Sequence, residues 1–305
     1  MTSRFLMNGI FLNRRSQSTP FIAAFAPLVF EDGKVGLYKR NHAMKKVISK
    51  DGTAIAYDQT GSGPPVILVD GAFCSRTFGP MPKLAPLLAP HFTAIAYDRR
   101  GRGDSGDTPP YAVQREIEDL EALINAAGGS AFVLGISSGA VLALRAAAAG
   151  LNIKKLALYE PPFVVDRTTG HQPPADHTAR LTKLIASDQR GEAVKYYLVS
   201  IIGMPSIFFY VMRLLPMWSK MKAIAPSLPY DSAVMGDFGF PAELLSSIQT
   251  PTLVSGGEKS PELLRVAVEA VSKTMPNAQR RMLAGQTHNV AAKVLAPVVV
   301  EFLKG

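Results

Sequence analysis

A single cysteine and a single tryptophan stand among 305 residues. One cysteine, Cys74, cannot close an intramolecular disulfide, and a Cys-rich zinc module is excluded with it. Charged residues are few at 19%, whereas apolar ones reach 47%, so a sizeable core can be buried and global disorder is excluded. No apolar run approaches the roughly 20 residues that cross a bilayer, so no membrane span is expected. No His/Glu pair has zinc-ligand spacing, and no metal is implied. Positive charge is in excess, at a net +9, but residues 1–43 supply +4 of it. The remainder holds no Lys/Arg cluster interleaved with aromatics, so nucleic acid is not an expected partner.

What is present divides into an extension and a body. In residues 1–43, Arg14-Arg15 precede a ten-residue apolar run, Phe21 to Phe30. Pro27 interrupts that run and directly follows its A-x-A candidate, Ala24-Phe25-Ala26, which argues against an ordinary secretory signal. Residues 1–43 are therefore expected to lie outside the core, with the body opening at Met44. The expected location is cytoplasmic, with secretion by an atypical leader as the alternative.

From Met44 the chain alternates strand-like and helix-like segments. Lys45–Ser49 and Thr53–Asp58 flank Asp51-Gly52, a dipeptide suited to a type I′ hairpin. Short apolar runs follow at Pro65–Val69, Thr93–Tyr97, Ala131–Ile136, Lys155–Tyr159, Thr252–Ser255 and Arg280–Leu283, as parallel strands covered on both faces require. Helix patterns lie between several of them, at Gln114–Ala127, Ser138–Ala149, Pro261–Thr274 and Ala291–Phe302. Together they predict an α/β fold with a mostly parallel, doubly wound sheet. About 90 residues after Tyr159 break the rhythm, with helical pieces at Asp176–Ser187, Glu192–Ile202 and Ser206–Leu215 and no convincing strand. Such an insertion is expected to cap the carboxyl ends of the strands. The expected division is 44–162 and 238–305 for the core and 163–237 for the helical cap.

Gly135-Ile136-Ser137-Ser138-Gly139 fits G-x-S-x-G after a buried strand and before an Ala-rich helix. A turn that tight wants glycine on both sides, and it lifts Ser137 above the sheet beside a helix N-terminus that favours developing negative charge. The spacing centres the turn on Ser137 rather than Ser138. A serine nucleophile needs a base. His42, His91, His171 and His177 read as surface residues. His288, in Gly285-Gln286-Thr287-His288 between the last strand and last helix, is placed to reach over the sheet.

With Val69-Asp70-Gly71-Ala72 and Tyr97-Asp98-Arg99-Arg100-Gly101-Arg102-Gly103-Asp104-Ser105, these motifs make the chain resemble the α/β-hydrolase fold family from about Met44 to Gly305. The resemblance implies an oxyanion hole built from the backbone N–H groups of Ala72 and Ser138. Many relatives carry His-Gly where Asp70-Gly71 stand, which leaves backbone donors in place and adds a carboxylate. The family's acid usually follows the strand Thr252–Ser255, where this chain has Ser260. Three carboxylates compete for the role. Glu160 ends the strand after the elbow helix, as in lactonases of the zearalenone hydrolase type, and Pro161 is expected to keep its backbone extended. Glu258 lies two residues before Ser260, and Asp237 lies at the cap exit. Glu160 is the favoured reading.

Other features read as structural. Gly101 to Gly106 match G-x-G-x-x-G, but Asp107-Thr108-Pro109-Pro110 follow, so no helix opens to receive a pyrophosphate. Cys74 reads as a small buried hydrophobe. An apolar acyl or ring pocket is expected from Phe73, Phe209, Met212 and Trp218. The expected activity is cofactor-free hydrolysis of a small-molecule carboxylic ester or lactone through a Ser-His-acid triad and an acyl-enzyme. C–C bond hydrolase, perhydrolase, hydroxynitrile lyase and non-catalytic ligand receptor are the alternatives. Oligomeric state is not legible.

Overall fold

The computed structural model describes residues 44–168 and 171–305. The extension 1–43, with its apolar run and His42, lies outside the described residues. Eight strands form one sheet: β1 (Lys45–Ile48), β2 (Ala54–Thr60), β3 (Pro65–Val69), β4 (Thr93–Tyr97), β5 (Ala131–Ile136), β6 (Ile153–Tyr159), β7 (Thr252–Gly257) and β8 (Ala278–Leu283). Their order is β1-β2-β4-β3-β5-β6-β7-β8. β1 pairs with β2, and β2 with β4, in antiparallel register; the other pairs are parallel.

The β1–β2 hairpin forms, but not through a type I′ turn. That turn needs positive φ at both central residues, and of Asp51 and Gly52 only Gly52 adopts it, at 85°. Five residues, Ser49 to Thr53, make the connection, with Asp51 Oδ1 accepting from the Thr53 N–H at 3.0 Å.

Apolar side chains on both faces of the parallel strands create two core layers. Ile67, Val69, Ile95, Val133, Leu156 and Leu158 point into one. Their neighbours Val66, Leu68, Ala94, Leu134, Ala157 and Tyr159 point into the other. This period-2 split is the physical content of a continuous apolar run in a parallel strand. The first layer packs α2 (Val113–Ala126), α3 (Ser138–Ala148) and α10 (Glu262–Thr274); the second packs α1 (Met81–Leu88) and α11 (Ala292–Lys304). Helix α1 escaped the sequence reading because Pro80, Pro82 and Pro86 punctuate it. Its buried residues Met81, Leu84, Ala85 and Leu88 nonetheless fall on one helical face.

Between β6 and β7 run α4 (His177–Ala186), α5 (Arg190–Lys195), a π-helical turn (Tyr196–Ile201), α6 (Ser206–Met212), α7 (Met217–Ile224), a 3₁₀ turn (Ala225–Ser227), α8 (Leu228–Met235) and α9 (Ala242–Ser247). The ends of this run meet in a single bridge, Val164 to Gly239. His177 is buried rather than a surface residue. Its ring packs edge-on to Phe238 at 5.2 Å, its Nδ1 faces the Ser232 hydroxyl, and burial holds its pKa below the usual range.

Candidate active site

Ser137 sits between β5 and α3 with φ 56° and ψ −126°, a region costly for any residue with a side chain. The flanking glycines are obligatory. A Cβ on Gly135 would come within 2.6 Å of the Gly139 carbonyl oxygen, and one on Gly139 within 2.3 Å of the Val69 oxygen. The missing side chains let the loop after β3 close onto the helix start. Gly71 then lies against the serine: a Cβ there would meet Ser137 Cβ at 3.0 Å. The Ser137 N–H donates to the Tyr159 carbonyl at 2.9 Å, which ties the elbow to the end of β6.

Glu160 is the next residue, and it is fully buried. Its Oε2 faces His288 Nδ1 at 2.7 Å. Its Oε1 accepts from the Gly257 N–H at 2.7 Å and the Ser260 hydroxyl at 2.5 Å. Tyr159, whose hydroxyl donates to the Thr287 carbonyl at 2.6 Å, holds the loop that carries the histidine. Close approach of that loop needs Gly257, where a Cβ would meet the Gln286 oxygen at 2.4 Å. The expected extended backbone at Glu160 is not observed. Its φ is 48°, and this left-handed turn aims the carboxylate across β7, where the two donors hold it.

Glu258 and Asp237 are not brought to His288. Glu258 is exposed. Asp237 is also exposed, pairs with Arg167 at 2.5 Å and accepts from the Gly239 N–H at 2.9 Å. That backbone bond, with Arg167 behind it, holds its carboxyl below the usual range. Ser137 Oγ and His288 make no hydrogen bond to one another among the described residues, as is common before substrate aligns such a pair.

A family model described as "Alpha/beta hydrolase family" matches residues 52–300. The chain belongs to the alpha/beta hydrolase family. Among solved structures it is similar to an alpha/beta hydrolase from Sphaerobacter thermophilus, at 52% identity and TM-score 0.80, covering 85% of this chain and 100% of that one. It shares its fold with the esterase RhEst1 from Rhodococcus sp., at 21% identity and TM-score 0.63, covering 86% and 98%. A curated Mycobacterium tuberculosis relative, named "Putative non-heme bromoperoxidase BpoC", is 33% identical over 91 residues. That match covers 29% of this chain and 34% of the relative, so the chain spans about a third of the length of the curated relatives it matches.

In this alpha/beta hydrolase the N–H groups of Ala72, in the loop after β3, and of Ser138, the first residue of α3, have no hydrogen-bond acceptor among the described residues. The loop bearing Ala72 is anchored by Arg102, whose Nη1 donates to the Gly71 carbonyl at 2.7 Å and the Cys74 carbonyl at 3.2 Å. Arg102 also reaches Ser227 Oγ at 2.9 Å and Asp231 at 2.5 Å. Asp231 further accepts from Arg99 at 2.7 Å and from the Ser138 hydroxyl at 2.8 Å. Arg99 in turn makes a bidentate pair with Glu116, at 2.6 and 2.7 Å. Asp98, Arg99, Arg100 and Arg102 of the charged run after β4 are therefore buried, and Arg99 and Arg102 with Asp231 knit the loop after β3, the elbow and α8 together. Asp231 was missed in the sequence. Its one signal was indirect: buried guanidiniums need carboxylates, and the run offers more of the former than the latter.

Asp70 is the exception in this network. It is buried, and among the described residues neither carboxylate oxygen has a nitrogen or oxygen donor, the Cys74 thiol being its one polar neighbour capable of a weak bond. Burial drives its pKa well above the usual range, against the pull of Arg102 and Arg99. Cys74 lies beside it: a Cβ on Gly79 would meet Cys74 Sγ at 2.8 Å and Asp70 Oδ1 at 3.6 Å. Burial likewise pushes the thiol up, which makes Cys74 a poor nucleophile.

The four expected pocket residues fall in two places. Phe73, buried and next to Ala72, packs edge-on to Tyr197 at 5.3 Å. Phe209 packs edge-on to half-buried Trp218 at 5.6 Å, and Met212 is buried on the same helix as Phe209. No ring contact joins the two pairs among the described residues. No helix among those residues is long and apolar enough to cross a membrane, and no cluster of His, Cys, Asp and Glu suits a metal ion.

Proposed function

We propose that this alpha/beta hydrolase is a serine hydrolase of carboxylic esters or lactones with an apolar acyl or ring portion. The observation that carries the reading is the pair His288 Nδ1–Glu160 Oε2 at 2.7 Å, on a loop beside a serine held at φ 56°. Ser137 Oγ attacks the carbonyl carbon while His288 Nε2 takes its proton. Glu160 fixes the tautomer that leaves Nε2 free and stabilises the imidazolium as it forms. The negative charge that develops on the carbonyl oxygen is met by the N–H groups of Ala72 and Ser138, which cost no reorganisation at the moment of reaction. The imidazolium returns the proton to the leaving alcohol, and water, deprotonated by the same histidine, releases the acid from Ser137. For a lactone the leaving alcohol stays attached to the acyl chain until water opens the acyl-enzyme. Every proton taken is returned, so no cofactor is needed.

Labelling by a fluorophosphonate tests the nucleophile without knowledge of the substrate. Wild type is expected to label at Ser137. An unreactive serine would instead support the reading of a ligand receptor on this fold. A panel of p-nitrophenyl esters and lactones, with a peroxide arm for peracid formation, then separates hydrolysis from perhydrolysis.

A further inference from the structure

Nine large apolar side chains are exposed among the described residues, and four of them are Ile207, Tyr210, Val211 and Leu214. Their spacing of i, i+3, i+4 and i+7 is that of one helical face. They lie on α6 and the turn that follows it, while Phe209 and Met212 of the same helix point into the core. Core packing therefore explains one side of α6 and leaves the other without a role. Leu214 is 85% exposed and Ile207 64%, so the face projects as a ridge.

Within the segment that carries the ridge the charge has one sign. From Ala193 to Tyr230, 38 residues contain Lys195, Arg213, Lys220 and Lys222 and no Asp or Glu. Arg213, Lys220 and Lys222 are exposed. Lys195 lies over the Tyr210 ring at 5.8 Å and pairs with Glu192 at 4.0 Å, whereas the other three make no ion pair among the described residues. Arg213 and Lys222 both stand 5.9 Å from the Trp218 ring. Apolar side chains outward, aromatic rings at their base and cations around them match the layering of an interfacial helix: acyl chains, headgroup boundary, anionic headgroups.

We propose that the α6 ridge docks this protein on an anionic lipid surface. Ile207, Val211 and Leu214 enter the boundary between headgroups and acyl chains, Tyr210 and Trp218 sit at headgroup level, and Arg213, Lys220 and Lys222 meet the lipid anions. A projecting ridge suits a fluid surface better than a protein partner, whose anchoring contacts need well-packed pockets around them. The inference does not depend on the catalytic reading, and its test reads partition rather than turnover.

The test is co-sedimentation of the full chain with vesicles of phosphatidylcholine alone, or with roughly 30 mol % phosphatidylserine, at about 0.1 M salt. The expected result is partition several-fold stronger onto the anionic vesicles, weakened as salt is raised. Combining Ile207→Ser, Val211→Ser and Leu214→Ser should cut that partition on the order of tenfold, with circular dichroism and the thermal unfolding midpoint unchanged. Equal partition of wild type and the triple variant, or none onto anionic vesicles, overturns the proposal. So does a concentration-dependent dimer that the triple variant abolishes without any vesicle binding, which would assign the ridge to a second copy of the chain.

Discussion

Ser260 donates its hydroxyl to Oε1 of Glu160 at 2.5 Å. The residue that stands where related chains carry their acid thus holds the carboxylate that faces His288. The Gly257 N–H, at 2.7 Å, saturates the same oxygen and leaves Oε2 for the imidazole. On the proposed reading the acid sits at the end of β6, one strand along the sheet from the end of β7, and Ser260 is part of its support.

Glu160→Gln keeps the shape and presents an amide where an anion is needed, so kcat is expected to fall by roughly 10³–10⁴. Glu258→Gln and Asp237→Asn, both at exposed sites, should each change it by less than about tenfold. Ser260→Ala removes one bond to a charged group and should lower kcat by about tenfold with little change in KM. Adding Ser260→Asp to Glu160→Ala returns a carboxylate to the β7 end and should recover part of the lost rate. Steady-state kinetics on one ester settle the matter, and a Glu160→Gln variant as fast as wild type would remove Glu160 from the mechanism.

Ser137 and Ser138 are adjacent but differ in what their hydroxyls touch. Ser138 Oγ is spent on Asp231 at 2.8 Å, whereas the half-buried Ser137 makes no hydrogen bond through its Oγ among the described residues. Ser137→Ala should therefore cost about 10⁴-fold or more in kcat and abolish fluorophosphonate labelling. Ser138→Ala keeps its backbone N–H for the oxyanion and should stay within about tenfold of wild type. Its loss should appear instead as about 1–3 kcal/mol in urea unfolding, because an acceptor of Asp231 loses its donor. The reverse pattern would move the nucleophile to Ser138.

The parts legible in the sequence are those with local signals. The parallel strands announced themselves as bounded apolar runs, and the elbow by two glycines: a Cβ on Gly135 would strike the start of α3, and one on Gly139 the loop after β3. The loop after β3, the elbow serine and the final histidine each sit at a strand end, so strand order alone brought them to one edge. What stayed hidden depends on long-range pairing. Asp231 is 93 residues from Ser138, in a helical insertion with no pattern marking it. The burial of Arg99, Arg100 and Arg102 has no sequence signal because nothing local states that Glu116, Asp119 and Asp231 meet them in the interior. The backbone at Glu160 was misjudged for a related reason. Proline disfavours the left-handed region for the residue before it, but the two donors on Oε1 and the imidazole on Oε2 outweigh that local preference.

Asp231 gives the network an acid-labile point. Burial opposes its ionisation, yet Arg102 and Arg99 prevail and hold the folded-state carboxyl below the usual range. A lowered folded pKa contributes stability that is fully present above about pH 4, where the unfolded carboxyl has ionised. That stability is lost as pH falls further, through the folded value. Asp231→Asn leaves Arg102 without a carboxylate among the described residues and should cost about 3–5 kcal/mol near neutral pH. The difference from wild type should shrink below about pH 4. Urea unfolding across that range checks both points, and a pH-independent difference would mean that the charge on Asp231 is not what matters.

Asp70 should show the opposite dependence. Its carboxyl is buried two residues before Ala72, with Arg99, Arg102, Asp98 and Cys74 as its charged or titratable neighbours. Both guanidiniums are already engaged by Glu116 and Asp231, so an ionised Asp70 would find no free counter-charge. Burial accordingly raises its folded pKa, and above about pH 4 the native state keeps a proton that the unfolded chain releases. Stability tied to this group is fully present below that pH. It declines as pH rises toward the folded value, by up to about 1.4 kcal/mol per pH unit. Asp70→Asn removes the titration while keeping the size. Whatever constant offset the new amide brings, the variant should gain on wild type as pH rises above about 4 toward the folded value. Urea unfolding at three pH values above that point gives the slope. The Asp231 effect acts below about pH 4, so the two windows do not overlap. A flat difference between Asp70→Asn and wild type would mean that Asp70 is ionised in the native state, and that one of the two arginines serves it after all.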